Sequence, residues 1–266
     1  MSVISQWLED PLGYLLSLLP LIPALLPALI LHEVAHGYTA YRLGDPTAKM
    51  LGRLSLNPLR HLDLRGTICM FLIGLGWAKP VPVDPRYFRR PRRDSFLVSI
   101  AGITANLVMF LTGCLLMYGM VYAAMRAVPA DMWLNSGLIT EKKALTVYYI
   151  PHEDIIRYAY GMGDALIEPY LGRAWGFVFE VVVKFTTVNL SLALFNLIPM
   201  PPLDGYQIIN SLVLNRSLYI SRKIARFCQM ALIILAFTGL LGKGLSWLMQ
   251  HVLEGVGGIA LLISGI

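Results

Sequence analysis

Residues 95–125 read SFLVSIAGITANLVMFLTGCLLMYGMVYAAM, thirty-one positions without one charged side chain. About 20 apolar residues suffice to cross the hydrocarbon of a bilayer, so this stretch spans with length left over for tilt. Residues 12–31 are also uncharged, although Pro20, Pro23 and Pro27 predict kinks or a broken entry. Two further runs, 174–203 with Glu180 and Lys184 inside it and 227–250 with Lys243 inside it, bring the total to about four spans. The apolar tail after Glu254 is too short to count as another. The whole chain agrees: 56% of its 266 residues are hydrophobic and 14% are charged. Soluble domains carry about 25% charged residues, and one core of this size cannot hide the excess. The predicted fold class is an all-α polytopic membrane protein, organised as one integral-membrane domain over residues 1–266. These figures exclude disorder, and a disulfide-stapled module is excluded as well, since Cys69, Cys114 and Cys228 are odd in number and lie in apolar stretches.

The loops orient the chain. Residues 41–66 hold five Lys/Arg against two acids, residues 79–94 six against two, and residues 213–226 four against none. Residues 127–172 reverse the balance, with three against six. The positive-inside rule puts the first three loops in the cytoplasm and 127–172 outside, as an extracytoplasmic cap segment. The net charge of +6 is therefore read as topology and lipid contact, Arg89, Arg90, Arg92 and Arg93 included, and no nucleic-acid partner is expected. One apolar stretch, TICMFLIGLGWA at 67–78, is short and glycine-punctuated, which favours a re-entrant or interfacial element over a crossing helix. The preceding KMLGRLSLNP alternates roughly, as a strand does. Residues 48–83 are accordingly expected to form a small β-containing hairpin element against the bundle, with Arg53–Pro58 as an edge strand.

Residues 32–36 read HEVAH. On a helix, positions i and i+4 share a face, so His32 and His36 can offer imidazole nitrogens to one tetrahedral zinc. Glu33 lies between them, close enough to deprotonate a water and to return the proton to a leaving amine. Two histidines and a glutamate at the end of an uncharged span are costly unless they have a purpose. His61, in a basic loop, is read as a surface or hairpin residue. A third ligand is required. Glu180 has Lys184 one turn away to neutralise it, whereas Asp204 in NLIPMPPLDGY follows a proline-broken helix and precedes Gly205, which permits a sharp turn. Asp204 is the stronger candidate, and it can also cap the helix that begins there.

HEVAH after an apolar run, LGDPTAKMLGRLSLNPLRHLD, GWAKPVPVDPRYFRRPRRD, AGITAN and FNLIPMPPLDG, in that order, resemble the site-2 protease family of intramembrane zinc metalloproteases. The likeness covers about residues 25–112 and 185–212 and is closest to the compact microbial branch without PDZ or CBS domains. It implies one zinc per chain held by His32, His36 and Asp204, with Glu33 as general base. It also implies a multi-pass protein of the cell (plasma or inner) membrane, its site toward the cytoplasm, that cleaves transmembrane protein substrates near the bilayer boundary. Asn106 matches the asparagine of the family's AGPxxN pattern, but Ile103 stands where that pattern has proline. Asn106 and Asn196 are candidate catalytic donors to the scissile carbonyl or its oxyanion; interhelical hydrogen bonding is the alternative role for each. A catalytically silent scaffold binding transmembrane helices is the second functional reading. A transporter using Glu180, Lys184 and Asn189 is the third.

Overall fold

The computed structural model describes residues 9–73, 76–127, 172–213 and 222–264. In chain order its helices are α1 Pro11–Ser17, α2 Leu21–Arg42, α3 Thr47–Met50, α4 Leu64–Ile73, α5 Pro91–Ala127, α6 Arg173–Asn196, α7 Asp204–Val213, α8 Arg222–Phe237 and α9 Leu240–Ser264. The acidic segment expected to cap the outer surface falls almost wholly outside the described residues.

Three helices are long and apolar enough to cross a membrane: α2, α5 and α6. A fourth crossing exists if α8 and α9 together make one broken span, bent by 76°. The single apolar run read over 227–250 is thus carried by two helices. Gly239, at φ +73°, takes the left-handed conformation that ends helices, and its N–H closes on Ala236 O at 3.1 Å. The first span is also shifted. Asp10 Oδ1 accepts from Gly13 N and Pro11 fills the first turn, so a seven-residue α1 forms and stops at Ser17. The crossing helix begins only at Leu21, behind Pro20, and runs on to Arg42. HEVAH therefore sits within a helix rather than at its end.

The described residues contain no strand, and the β-containing expectation for 48–83 is corrected. The strand-like feature there is an isolated antiparallel bridge between Leu62 and Ala78. The alternation in KMLGRLSLNP misleads because its backbone donors are spent locally: Gly52 N reaches Lys49 O and Arg53 N reaches Ala48 O. Gly52 sits at φ +63°, and Asn57 caps a 3-10 turn through Leu59 N. Arg53–Pro58 is consequently no edge strand. The apolar stretch that follows becomes α4, and its ten residues are too few to cross.

The long helices bury polarity and expose hydrocarbon. On α5, Leu111 and Leu115 are exposed while Asn106 is fully buried, and on α6 Asn189 is fully buried as well. That is the distribution of a bundle in lipid. Close approach is built in: a side chain on Gly113 of α5 would overlap Thr186 of α6. Phe110, Cys114, Leu190 and Leu253 bind α5, α6 and α9 into one apolar cluster. Ala40, Phe88 and Val98 form another, seating the loop before α5 against the end of α2.

Candidate active site

The C-terminal half of α2, the first turns of α5 and the start of α7 meet at one end of the bundle, and the polar side chains gather there. His32 and His36 are both buried, on one face of α2, with their Nε2 atoms 3.0 Å apart. Asp204, the first residue of α7, brings Oδ2 to 3.4 Å from His32 Nε2 and 3.2 Å from His36 Nε2. These three ligand atoms lie within 4.8 Å of one another, close enough to hold one metal ion. Gly205 makes the placement possible. A Cβ there would overlap the Leu197 carbonyl at the end of α6, so its need for glycine is close approach rather than the sharp-turn conformation the sequence implies.

The hydrogen bonds around the histidines fix their protonation pattern. His36 Nδ1 lies 2.7 Å from Val98 O, which can only accept, so the hydrogen is on Nδ1 and, in the neutral imidazole that binds a metal, Nε2 presents a lone pair. His32 Nδ1 lies 2.5 Å from Asn106 Oδ1. Asn106 Nδ2 donates to Asn189 Oδ1 at 2.9 Å and to Ala28 O at 3.4 Å. Asn189 Nδ2 donates in turn to Phe185 O at 2.8 Å. A backbone oxygen at the far end of this chain sets the direction of every bond in it, leaving His32 Nε2 as a second lone pair. Two lone pairs and a carboxylate oxygen then face one another in a buried place, and Asp204 Oδ2 has no hydrogen-bond donor of its own. Such a cluster repels itself unless a cation sits at its centre. Nitrogen and carboxylate donors in this number suit zinc with one position left open.

Glu33 is held from the opposite side. Its Oε2 accepts from Val81 N at 2.7 Å. Val81 belongs to a strap between α4 and α5 that is pinned at several points. Lys79 N donates to His61 O, Arg53 Nη2 to Lys79 O, and Asp84 N to Asp45 Oδ2, each at 2.7 Å. Asp45 is fully buried and also accepts from Thr47 N at 2.9 Å. Gly37 gives the strap room, since a side chain there would press on Leu54 and Val81 at 2.8 Å.

Other candidates land elsewhere. Asn196 bonds back to Leu192 O of its own helix at 3.0 Å. Asn106 directs its amide hydrogens to Asn189 and Ala28 and its oxygen to His32, the interhelical arrangement rather than that of a carbonyl donor. Glu180 pairs with Lys184 at 3.2 Å. His61 is not a surface residue: it is 1% exposed and donates from Nε2 to Ser55 O at 2.7 Å. Ile103, in place of the family proline, is buried in an unbroken α5. Sequence reasoning missed Gly102, Asn189 as part of the site, and the Val81 N–H. Gly102 and Asn189 carry a weak signal, a glycine one helical turn before Asn106 and a lone amide in an apolar run; a backbone N–H carries none.

Comparison with known proteins agrees with this geometry. A Bacillus subtilis (strain 168) protein, YwhC, named as a candidate zinc metalloprotease, is 38% identical over 205 residues, 76% of this chain and 73% of its own. Rip2 of Mycolicibacterium smegmatis, named in the same way, is 29% identical over 189 residues, covering 66% of this chain and 70% of its own. Rip2 of Mycobacterium tuberculosis H37Rv is 36% identical over 106 residues, 38% of this chain and 40% of its own. No solved structure matches the chain. The model of Peptidase family M50 matches residues 20–239, a stretch that includes both histidines, the strap and Asp204. The chain belongs to peptidase family M50, the site-2 protease family.

Proposed function

We propose that this chain is an intramembrane zinc endopeptidase that hydrolyses peptide bonds in transmembrane segments of protein substrates, near the cytoplasmic boundary of the cell membrane. The observation that carries the reading is the convergence of His32 Nε2, His36 Nε2 and Asp204 Oδ2 beside a carboxylate, Glu33, that is not one of the three. Bound zinc supplies Lewis acidity there, acidifying a water and polarising a carbonyl. Glu33 takes a proton from the attacking water and later gives it to the leaving amine nitrogen. The Val81 N–H holds one carboxylate oxygen of Glu33, so the other is left to meet the water. Asn106 and Val98 O hold the two imidazoles in register for the metal. The loops support the sidedness: Arg42, Lys49, Arg53, Arg89 and Arg90 lie in the segments next to the helices that carry the site, and the positive-inside rule favours the cytoplasm for such segments.

The test is reconstitution of the full chain into liposomes with single-span proteins, with zinc counted per chain and products mapped by mass. About one zinc per chain, and cuts within substrate spans that vanish in Glu33→Gln, are expected. Wild type purified without chelator and carrying no zinc would overturn the reading.

A further inference from the structure

We infer that Asn189, on α6, is a positioning residue for the metal site, acting through Asn106 to keep the His32 hydrogen on Nδ1 and the lone pair on Nε2. The inference rests on the zinc reading above and adds to it a residue remote from the ligands. Its basis is the direction of the chain of bonds. Phe185 O accepts from Asn189 Nδ2, which leaves Asn189 Oδ1 to accept from Asn106 Nδ2 at 2.9 Å, a closer bond than the one from the same nitrogen to Ala28 O at 3.4 Å, and together they leave Asn106 Oδ1 to accept from His32 Nδ1. If either amide turned over, an oxygen would face an oxygen or an N–H would face His32 Nδ1, and the imidazole would move its hydrogen to Nε2. In that tautomer His32 has no lone pair to offer toward His36 and Asp204. Both asparagines are fully buried, so no solvent is available to satisfy a broken link.

Three helices are coupled by this relay, since His32 is on α2, Asn106 on α5 and Asn189 on α6. His36 needs no such device because a backbone carbonyl, Val98 O, sets its tautomer directly. The two ligands of one motif are therefore oriented in different ways, one by main chain and one by a side-chain relay that ends on main chain. Asn189 has no contact with the substrate-facing groups Glu33 or Val81 in this arrangement, so its effect is expected on the metal before anything else.

The experiment measures zinc affinity of the full-length protein in detergent by competition with a chelator, together with the thermal midpoint of the zinc-free protein. The variants are Asn189→Leu, which removes the amide, and Asn189→Asp, whose protonated carboxyl can donate to Phe185 O with one oxygen and accept from Asn106 with the other. Outer-shell partners of metal ligands are worth roughly 10–100-fold in affinity. A loss of that size in Asn189→Leu, with Asn189→Asp staying within about threefold of wild type, supports the relay. Equal losses in both variants, or none in Asn189→Leu, overturn it while leaving the metal site intact. Should Leu at 189 prevent folding, Asn189→Ala, which removes the amide without adding bulk, is judged by the same criteria. Absence of zinc from wild type would instead remove the zinc reading itself, so the two failures are distinguishable.

Discussion

A Cβ built on Gly102 would overlap Nε2 of His36 and lie 2.7 Å from Cε1 of His32, so the missing side chain at this position is what lets α5 lie against both imidazoles. Neither ring can swing away cheaply, because each is held at Nδ1, by Val98 O and by Asn106.

Gly102→Ala separates helix stability from site geometry. Alanine is favoured over glycine inside a helix by about 1 kcal/mol, so α5 itself does not suffer. The displaced imidazoles do, and zinc affinity is expected to fall at least about tenfold, the lower range for disturbed ligand orientation. Chelator competition on the purified protein checks it; affinity equal to wild type would mean that the rings relax without cost.

Glu33→Gln isolates proton transfer. The glutamine side-chain oxygen still accepts from Val81 N, so the strap stays in place and the three metal donors are untouched. Removing a general base costs about 10²–10⁴-fold in rate. Cleavage in liposomes is expected to drop by that order while zinc per chain stays level. A parallel loss of zinc would place Glu33 among the ligands.

Glu180 and Lys184 give the opposite prediction. They pair at 3.2 Å one turn apart on α6, away from the histidine cluster. Breaking one partner of an ion pair within a membrane bundle leaves a lone charge, whereas removing both does not. Lys184→Met alone is expected to lower the thermal midpoint, and Glu180→Gln with Lys184→Met to restore it, with zinc and cleavage near wild type in the double variant. Loss of cleavage with zinc retained in that variant would tie the pair to function.

How much of this was legible depended on whether the deciding force was local. HEVAH announces its shared face because helix periodicity is a local rule, and Asp204 was found because a proline-broken helix end is visible in sequence. The uncharged runs announce spans for the same reason, though the break at Gly239 depended on a backbone conformation that a lone glycine in an apolar run does not declare. The strand expected at Arg53–Pro58 failed because alternation in so short a stretch does not reveal that its donors close turns with the residues before it. Asn106 was recognised as special but its partner was not, since Asn189 is distant in sequence and the two meet only when α5 packs on α6. Gly205 reads in sequence as a residue that permits a sharp turn, whereas its missing side chain instead makes room for the nearby Leu197 carbonyl.

The bond that holds Glu33 has no side chain on its donor side. Val81 N donates to Glu33 Oε2, and Val81 lies between Pro80 and Pro82. A residue before proline favours extended backbone, which a proline at 81 can also adopt, so Val81→Pro deletes the N–H with little demand on the strap. Hydrogen bonds to charged groups are worth about 1.5–3 kcal/mol, and about 1.4 kcal/mol is tenfold in rate. Cleavage is therefore expected to fall about tenfold or more in Val81→Pro, because Glu33 loses the contact that aims it. Zinc affinity should hold, since Glu33 is not one of the three converging donors. Val81→Ala keeps the N–H while trimming the buried side chain, and is expected to cleave close to the wild-type rate. Equal defects in the two variants would show that the strap acts by packing against Gly37 rather than through its backbone.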